Sequence, residues 1–397
     1  MAAAPPTPAQ VAGATTSRNI ILCCDGTNNE FGKYNTNVVR LFQCLDRSPQ
    51  SRQIAYYDPG IGTLAAPGVW TKVGKAISRA IELAFGVGII PKIESALSFL
   101  MQQYQPGDNI FVFGFSRGAY TARALAGVLH KCGLPEDGAD NMLPYFMKAF
   151  QDTSPEYRPI AEQFKATFGR PCHVHFLGLW DTVSTIGWIY NPKHFPYTSN
   201  NPNVSIVRHA VSLDERRCFY RSNLWGMRDP EEAANQPNPE LKQDVFQAWF
   251  PGVHSDVGGG YSMVTDPNSP ETSAIWKISF DWMIREAAQA GVRFDDDRIN
   301  HFLNLSPPAG GDWYNTFIHK SLHGAWWLLE FLPKKYWDWS AHPPQYRFQL
   351  PMGRPRYVAK GQRLHRSIID RMLAKPEYRP PNLDLTPQPP ATEFVQY

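Results

Sequence analysis

Five residues of this chain combine types and spacing suited to covalent chemistry: Gly114-Phe115-Ser116-Arg117-Gly118. Strand formers precede them, Asn109-Ile110-Phe111-Val112-Phe113, and a helix-forming stretch follows, Ala119 to Ala126. Strand, G-x-S-x-G and helix in that order put the serine on a tight, strained turn that needs small flanking residues, with its hydroxyl above the sheet. A helix beginning there brings backbone N–H groups and a positive dipole end to the place where a tetrahedral oxyanion would form. Ser116 is therefore read as a nucleophile.

A serine hydroxyl needs a base within hydrogen-bond reach, and the base needs a carboxylate to fix its tautomer. Among the eleven histidines, His254 is the preferred base, because it follows the strand Val245–Phe250 and lies beside Gly258, Gly259 and Gly260. His365 is the second candidate, and His175, inside a buried strand, is read as structural. Asp181, just past the apolar run His173–Leu179, is the preferred acid, and Asp256 competes from within the His254 loop. The order Ser116, Asp181, His254 is that of an α/β-hydrolase. One oxyanion donor is the backbone N–H of Arg117, and Gly26 or Thr27 is expected to supply the other. The Arg117 side chain has two readings, a salt bridge on the first helical turn or a contact to an anionic substrate group.

These residues need elements to hold them. Strands are expected at Asn19–Cys24, Gln53–Tyr57, Asn109–Phe113, His173–Leu179 and Val245–Phe250, with helical segments between them. That alternation predicts an α/β fold, a mostly parallel sheet with helices on both faces and helical insertions. In such sheets ligands bind beyond the carboxyl ends of the strands, where Asp25-Gly26-Thr27, Ser116, Asp181 and His254 all fall. Val38, Leu41, Phe42 and Leu45 form one face of a helix capped near Asn35 or Thr36. The stretch from Ser184 to Gln243 is read as a long connection, and strand signal fades beyond Asp297. The division expected is a disordered tail over 1–17, a catalytic domain over 18–295, an aromatic-rich extension packing on or lidding it over 296–374, and a Pro-rich extended tail over 375–397.

Composition narrows the choice of function. With 39 basic and 36 acidic residues the net charge is +3, and no basic run offers a grip on nucleic acid. No H-E-x-x-H or similar cluster suggests a metal, and no cofactor is expected. The D-G-T at 25–27 lacks the leading aspartate of an aspartyl phosphatase, since Cys23 stands in its place. Six cysteines without a C-x-x-C pair read as reduced thiols in a cytoplasmic protein. The first 17 residues carry no apolar core segment of a secretory signal, and the longest apolar stretches fall short of a membrane span. The segment Gly324–Trp339 packs over the core, lids the site or touches a membrane surface through Trp326, Trp327 and Trp337.

Four motifs together resemble a known family. L-C-C-D-G-T-N-N at 22–29, G-F-S-R-G-A-Y-T-A-R at 114–123, G-L-W-D-T-V at 178–183 and F-P-G-V-H-S-D-V-G-G-G-Y at 250–261 are similar to the phospholipase-like α/β-hydrolases of type VI secretion lipase effectors. The resemblance covers roughly residues 18 to 290. It implies an α/β-hydrolase fold and a Ser-Asp-His triad on Ser116, Asp181 and His254. It also implies hydrolysis of lipid or phospholipid acyl esters; because the residues carry no decisive lipid-binding signal, a soluble short-chain ester is the fallback. The family includes stand-alone fungal relatives, which the Ala/Pro-rich ends of this chain resemble. A catalytically silent hydrolase fold serving as a binding or scaffold protein is the alternative.

Overall fold

A computed structural model describes residues 17–26, 35–60, 88–183, 187–188, 191–192, 195–226, 243–261, 273–304, 312–324, 326–338, 341 and 345–397. Thr27 and the expected N-terminal tail through residue 16 lie outside the described residues.

Eight strands form one sheet: β1 (Asn19–Cys24), β2 (Gln53–Asp58), β3 (Asn109–Phe115), β4 (Val174–Trp180), β5 (Val204–Ser212), β6 (Asp244–Phe250), β7 (Arg363–His365) and β8 (Phe394–Gln396). Their order is β8-β7-β6-β5-β4-β3-β1-β2. All neighbours run parallel except β8, which is antiparallel to β7. Parallel neighbours require crossovers, and helices supply most of them. The helices described are α1 (Asn37–Cys44), α2 (Ile89–Gln103), α3 (Arg117–Cys132), α4 (Leu143–Gln151) and α5 (Arg158–Phe168), then α6 (His254–Gly258), α7 (Trp276–Gln289), α8 (Asp296–Asn304), α9 (Trp326–Glu330) and α10 (Arg366–Ala374), the last joining the antiparallel β7 and β8.

The pleat of β1 shows why its run is continuously apolar. Ile20 and Leu22 join the core with α2, α3 and α4, whereas Ile21 and Cys23 join the core with α1 and α7. Both faces are covered, so from Ile20 to Cys24 neither parity is polar, and Asn19 at the strand's start is buried with hydrogen bonds to Gln53 and the Gly291 carbonyl. Thr36 caps α1, its hydroxyl accepting the N–H of Val39 at 3.3 Å, as the sequence suggests. Helix α3 is buried along nearly its whole length, and its small residues let it lie close to the sheet between α2 and α4. The architecture is that of an α/β-hydrolase.

Two expectations about the sheet need correction. A central strand, β5, lies inside the stretch read as a connection. Ser205, Arg208 and His209 interrupt its apolar pattern, but they have partners: Arg208 with Asp244 (2.6 Å) and Glu286, His209 with Gln247 (3.0 Å). The C-terminal residues also do not end as an extended tail. Leu364 of β7 is fully buried beside β6, and Phe394 of β8 packs edge-on against Phe246. Beyond the sheet, Lys334–Asp338 and Gln345–Gln349 form an antiparallel pair.

Candidate active site

Ser116 joins β3 to α3 with φ 60° and ψ −122°, a conformation L-residues seldom take. The turn fits because the residues two positions to either side, Gly114 and Gly118, are glycines. A Cβ on Gly114 would stand 2.6 Å from the backbone of Ala119, and one on Gly118 would strike the carbonyl oxygens of Cys24 and Asp25. The Ser116 N–H donates to the Trp180 carbonyl at 3.0 Å, tying the turn to the end of β4.

His254 opens α6 directly after β6 and is 3% exposed. Its Nε2 lies 2.8 Å from Ser116 Oγ, and its Nδ1 lies 2.5 Å from Asp181 Oδ2. Asp181 follows β4 at φ 40° and is fully buried. Three side chains far apart in the chain thus meet above the carboxyl ends of β3, β4 and β6. Burial opposes ionisation of Asp181, but the Arg356 guanidinium and His254 outweigh it and hold the carboxyl well below the usual range. Burial lowers the pKa of His254, and Asp181 only partly offsets this.

The competing residues sit elsewhere. Asp256 accepts the N–H of Val253 (3.1 Å) and binds His319 through its N–H (3.0 Å) and Nδ1 (2.6 Å), so it caps α6 and anchors the following segment. His365 caps α10, its Nδ1 accepting the Ser367 N–H at 3.2 Å, with its ring stacked on Phe250. His175 Nε2 donates to the Ala290 carbonyl at 3.1 Å. The Gly26 N–H donates to Asp25 Oδ1 at 2.7 Å, while Asp25 Oδ2 accepts from Thr36 and Tyr57, each at 2.8 Å. Asp25 is therefore held from β2 by Tyr57 and from the cap of α1 by Thr36, and its carbonyl lies against Gly118 in the first turn of α3. The Arg117 side chain is buried, 5% exposed.

Several residues of the site escape a sequence reading. Arg356 Nη1 donates to Asp181 Oδ1 at 2.5 Å and its Nη2 to Oδ2 at 3.0 Å. Ser212, the last residue of β5, donates its N–H to Oδ1 (2.9 Å) and its hydroxyl to Oδ2 (3.1 Å). Glu215 accepts the His254 N–H at 3.2 Å and pairs with Arg217 at 2.9 Å; burial raises its pKa, but Arg217 brings it down to about 2. Recognising β5 would have put Ser212 and Glu215 at a strand end beside the other special loops. Nothing local marks Arg356.

Aromatic rings wall the imidazole. Phe115 lies 4.6 Å and Tyr220 4.7 Å from it, centroid to centroid. Trp326 packs edge-on against Tyr220 at 5.7 Å, and the Arg217 guanidinium sits 3.7 Å over the Tyr220 ring. Trp326 thus faces inward, whereas Trp327 is 39% and Leu328 72% exposed. The Trp337 side chain lies outside the described residues.

Comparison with known proteins agrees with the resemblance. An uncharacterized protein of Saccharomyces cerevisiae is 27% identical over an alignment covering 78% of this chain and 62% of the relative. Two solved structures are also similar. One, an uncharacterized protein from Pseudomonas aeruginosa, has a TM-score of 0.42 at 20% identity and covers 71% of this chain and 47% of the other. The second, the Tle1 effector bound to the VgrG spike of the type 6 secretion system, has a TM-score of 0.30 at 18% identity and covers 69% and 60%. The chain therefore spans less than two thirds of the length of each of these relatives. The family described as T6SS, phospholipase effector Tle1-like, catalytic domain, matches residues 18–286, and it is to this family of phospholipase-like hydrolases that the chain belongs.

Proposed function

We propose that this protein is a serine hydrolase that cleaves carboxyl esters through an acyl-serine intermediate, with lipid or phospholipid acyl esters as the leading substrate class. The single observation that carries the reading is the continuous hydrogen-bonded line from Ser116 Oγ through His254 to Asp181, with spacings of 2.8 and 2.5 Å.

In this reading Ser116 Oγ attacks the ester carbonyl as His254 Nε2 takes its proton. Asp181 keeps Nδ1 protonated and stabilises the imidazolium. The negative oxygen of the tetrahedral intermediate is met by the Arg117 backbone N–H at the start of α3, where the helix dipole favours negative charge. His254 returns the proton to the departing alcohol, and the acyl-serine forms. A water then attacks it with His254 again as base, releasing the acid and restoring Ser116. Family membership supports lipid esters. So do the exposed Trp327, Leu328 and Phe331 (55%), which follow Trp326 and suit a peripheral contact with a lipid surface.

Labelling by a fluorophosphonate probe tests the nucleophile, and a chain-length series of p-nitrophenyl esters followed by a phospholipid panel tests the substrate. Labelling and hydrolysis lost in Ser116→Ala support the proposal. A folded wild type that neither labels nor hydrolyses any ester favours a silent scaffold instead.

A further inference from the structure

Arg356 lies beyond residue 286, where the family match ends, yet it is 2% exposed and directed at the carboxylate of Asp181. Its contact is a fork on both oxygens, the geometry in which a guanidinium recognises a carboxylate most specifically. The rest of the side chain is also engaged. Nη1 donates to Ser212 Oγ (2.7 Å) and to the Ser212 carbonyl (2.9 Å), and Nε donates to the Tyr220 carbonyl at 3.1 Å. Arg356 therefore joins the end of β5, the acid after β4 and the loop whose Tyr220 ring lies against His254.

The segment bearing Arg356 is itself fastened to that loop. Glu330, fully buried, accepts the N–H of Cys218 (2.7 Å) through Oε1 and the N–H of Gly353 (2.9 Å) through Oε2. Arg216 Nε donates to the Gly353 carbonyl at 2.6 Å. Together these contacts hold the Arg356 segment where its guanidinium meets the Asp181 carboxylate.

We infer that Arg356 is a positioning residue of the hydrolytic site, orienting Asp181 towards His254 and cancelling its charge, so that the catalytic unit requires the C-terminal segment as well as the family-matched residues. This rests on the serine hydrolase reading. Two physical consequences follow. Without the fork, the Asp181 carboxylate keeps only Ser212 and His254 as partners among the described residues, and the imidazole loses its fixed orientation towards Ser116. Charge balance changes too. The groups facing His254 are Asp181 and Glu215 on the negative side and Arg217 on the positive side, with Arg356 behind Asp181 and Asp256 turned to His319. His209 is neutral there, its pKa pushed down to about 3 by burial and by Arg123. Removing Arg356 leaves one carboxylate uncancelled, which favours the imidazolium and raises the His254 pKa.

The test uses the full chain, with wild type, Arg356→Met, Arg356→Lys, Asp181→Asn and the Asp181→Asn/Arg356→Met double variant, each checked for folding by circular dichroism. In Arg356→Met we expect kcat on a p-nitrophenyl ester to fall about 100-fold with KM within about two-fold. The acid limb of kcat/KM moves to higher pH, a shift that loss of packing alone would not produce. Arg356→Lys keeps the charge without the fork and falls between. In the Asp181→Asn background the second substitution costs nothing further, because Arg356 acts through Asp181. A folded Arg356→Met with wild-type kcat and an unmoved acid limb overturns the inference, as does a full additional loss in the double variant. If the methionine variant does not fold, Arg356→Lys decides alone: reduced kcat supports the inference and wild-type kcat overturns it. A wild type that does not label with fluorophosphonate removes the serine hydrolase reading, and this inference with it.

Discussion

Ser116 and Asp181 occupy successive strand ends and both hold positive φ, 60° and 40°, with the Ser116 N–H tied to the carbonyl of Trp180, the residue before Asp181. Two non-glycine residues with positive φ at neighbouring strand ends are a concentration of backbone strain that the fold must sustain. The strain turns both side chains out of their strand directions and towards His254.

The strain at Ser116 predicts a trade of activity for stability. Glycine takes this backbone freely, whereas alanine does not. Ser116→Gly and Ser116→Ala both lose hydrolysis, but the glycine variant is expected to be more stable than the alanine variant by about 1 kcal/mol. Urea unfolding of the two proteins measures the difference, and equal midpoints would show that position 116 carries no strain.

The pH dependence of hydrolysis follows from the burial of His254. In the proposed mechanism His254 acts as a base when neutral, and burial disfavours its charged form. The acid limb of kcat/KM should therefore fall below the ordinary imidazole value of about 6.5. A limb above that value in the wild type would mean that the Asp181 charge outweighs burial.

Acid stability should depend on Glu215. Its folded pKa is lowered from 4.5 to about 2, so its stabilising contribution is complete above the unfolded value and is lost as pH falls through the folded one. Asp181 acts in the same direction. Unfolding free energy should drop steeply below about pH 4.5, and Glu215→Gln should lower stability at neutral pH while flattening that drop. Denaturant titrations across this range provide the check.

Gly258 offers a packing test. A Cβ there would strike the Phe115 ring, which lies against His254. Gly258→Ala should cost about 1–3 kcal/mol of stability and lower kcat about 100-fold by displacing the imidazole. Activity assays beside unfolding curves separate the two effects; an unchanged kcat would mean that Phe115 yields without moving His254.

All six cysteines are buried and free, and burial raises their thiol pKa values, to about 12 in Cys44, Cys132 and Cys172 and about 11 in Cys218. Native protein should react negligibly with a thiol-specific disulfide reagent, and all six should react after unfolding in denaturant. Rapid modification of one thiol in the native protein would contradict this packing.

By itself the sequence determined the parts whose signals are local. A strand buried on both faces must be almost wholly apolar, so β1, β3 and β4 stand out, and β6 through its apolar end Ala248–Phe250, as do the small residues around Ser116 and the loops that follow these strands. Strand β5 was hidden because Arg208 and His209 find partners that only the fold provides. Strands β7 and β8 are three residues each, too short to carry a pattern. Composition left Asp181 and Asp256 as rivals for one imidazole. Tertiary structure separated them by placing one carboxylate on Nδ1 of His254 and turning the other to His319. It also brought Arg356 to Asp181 across 175 positions of sequence. No spacing rule reaches that far, because the partner of a buried charge is set by how the chain packs around it.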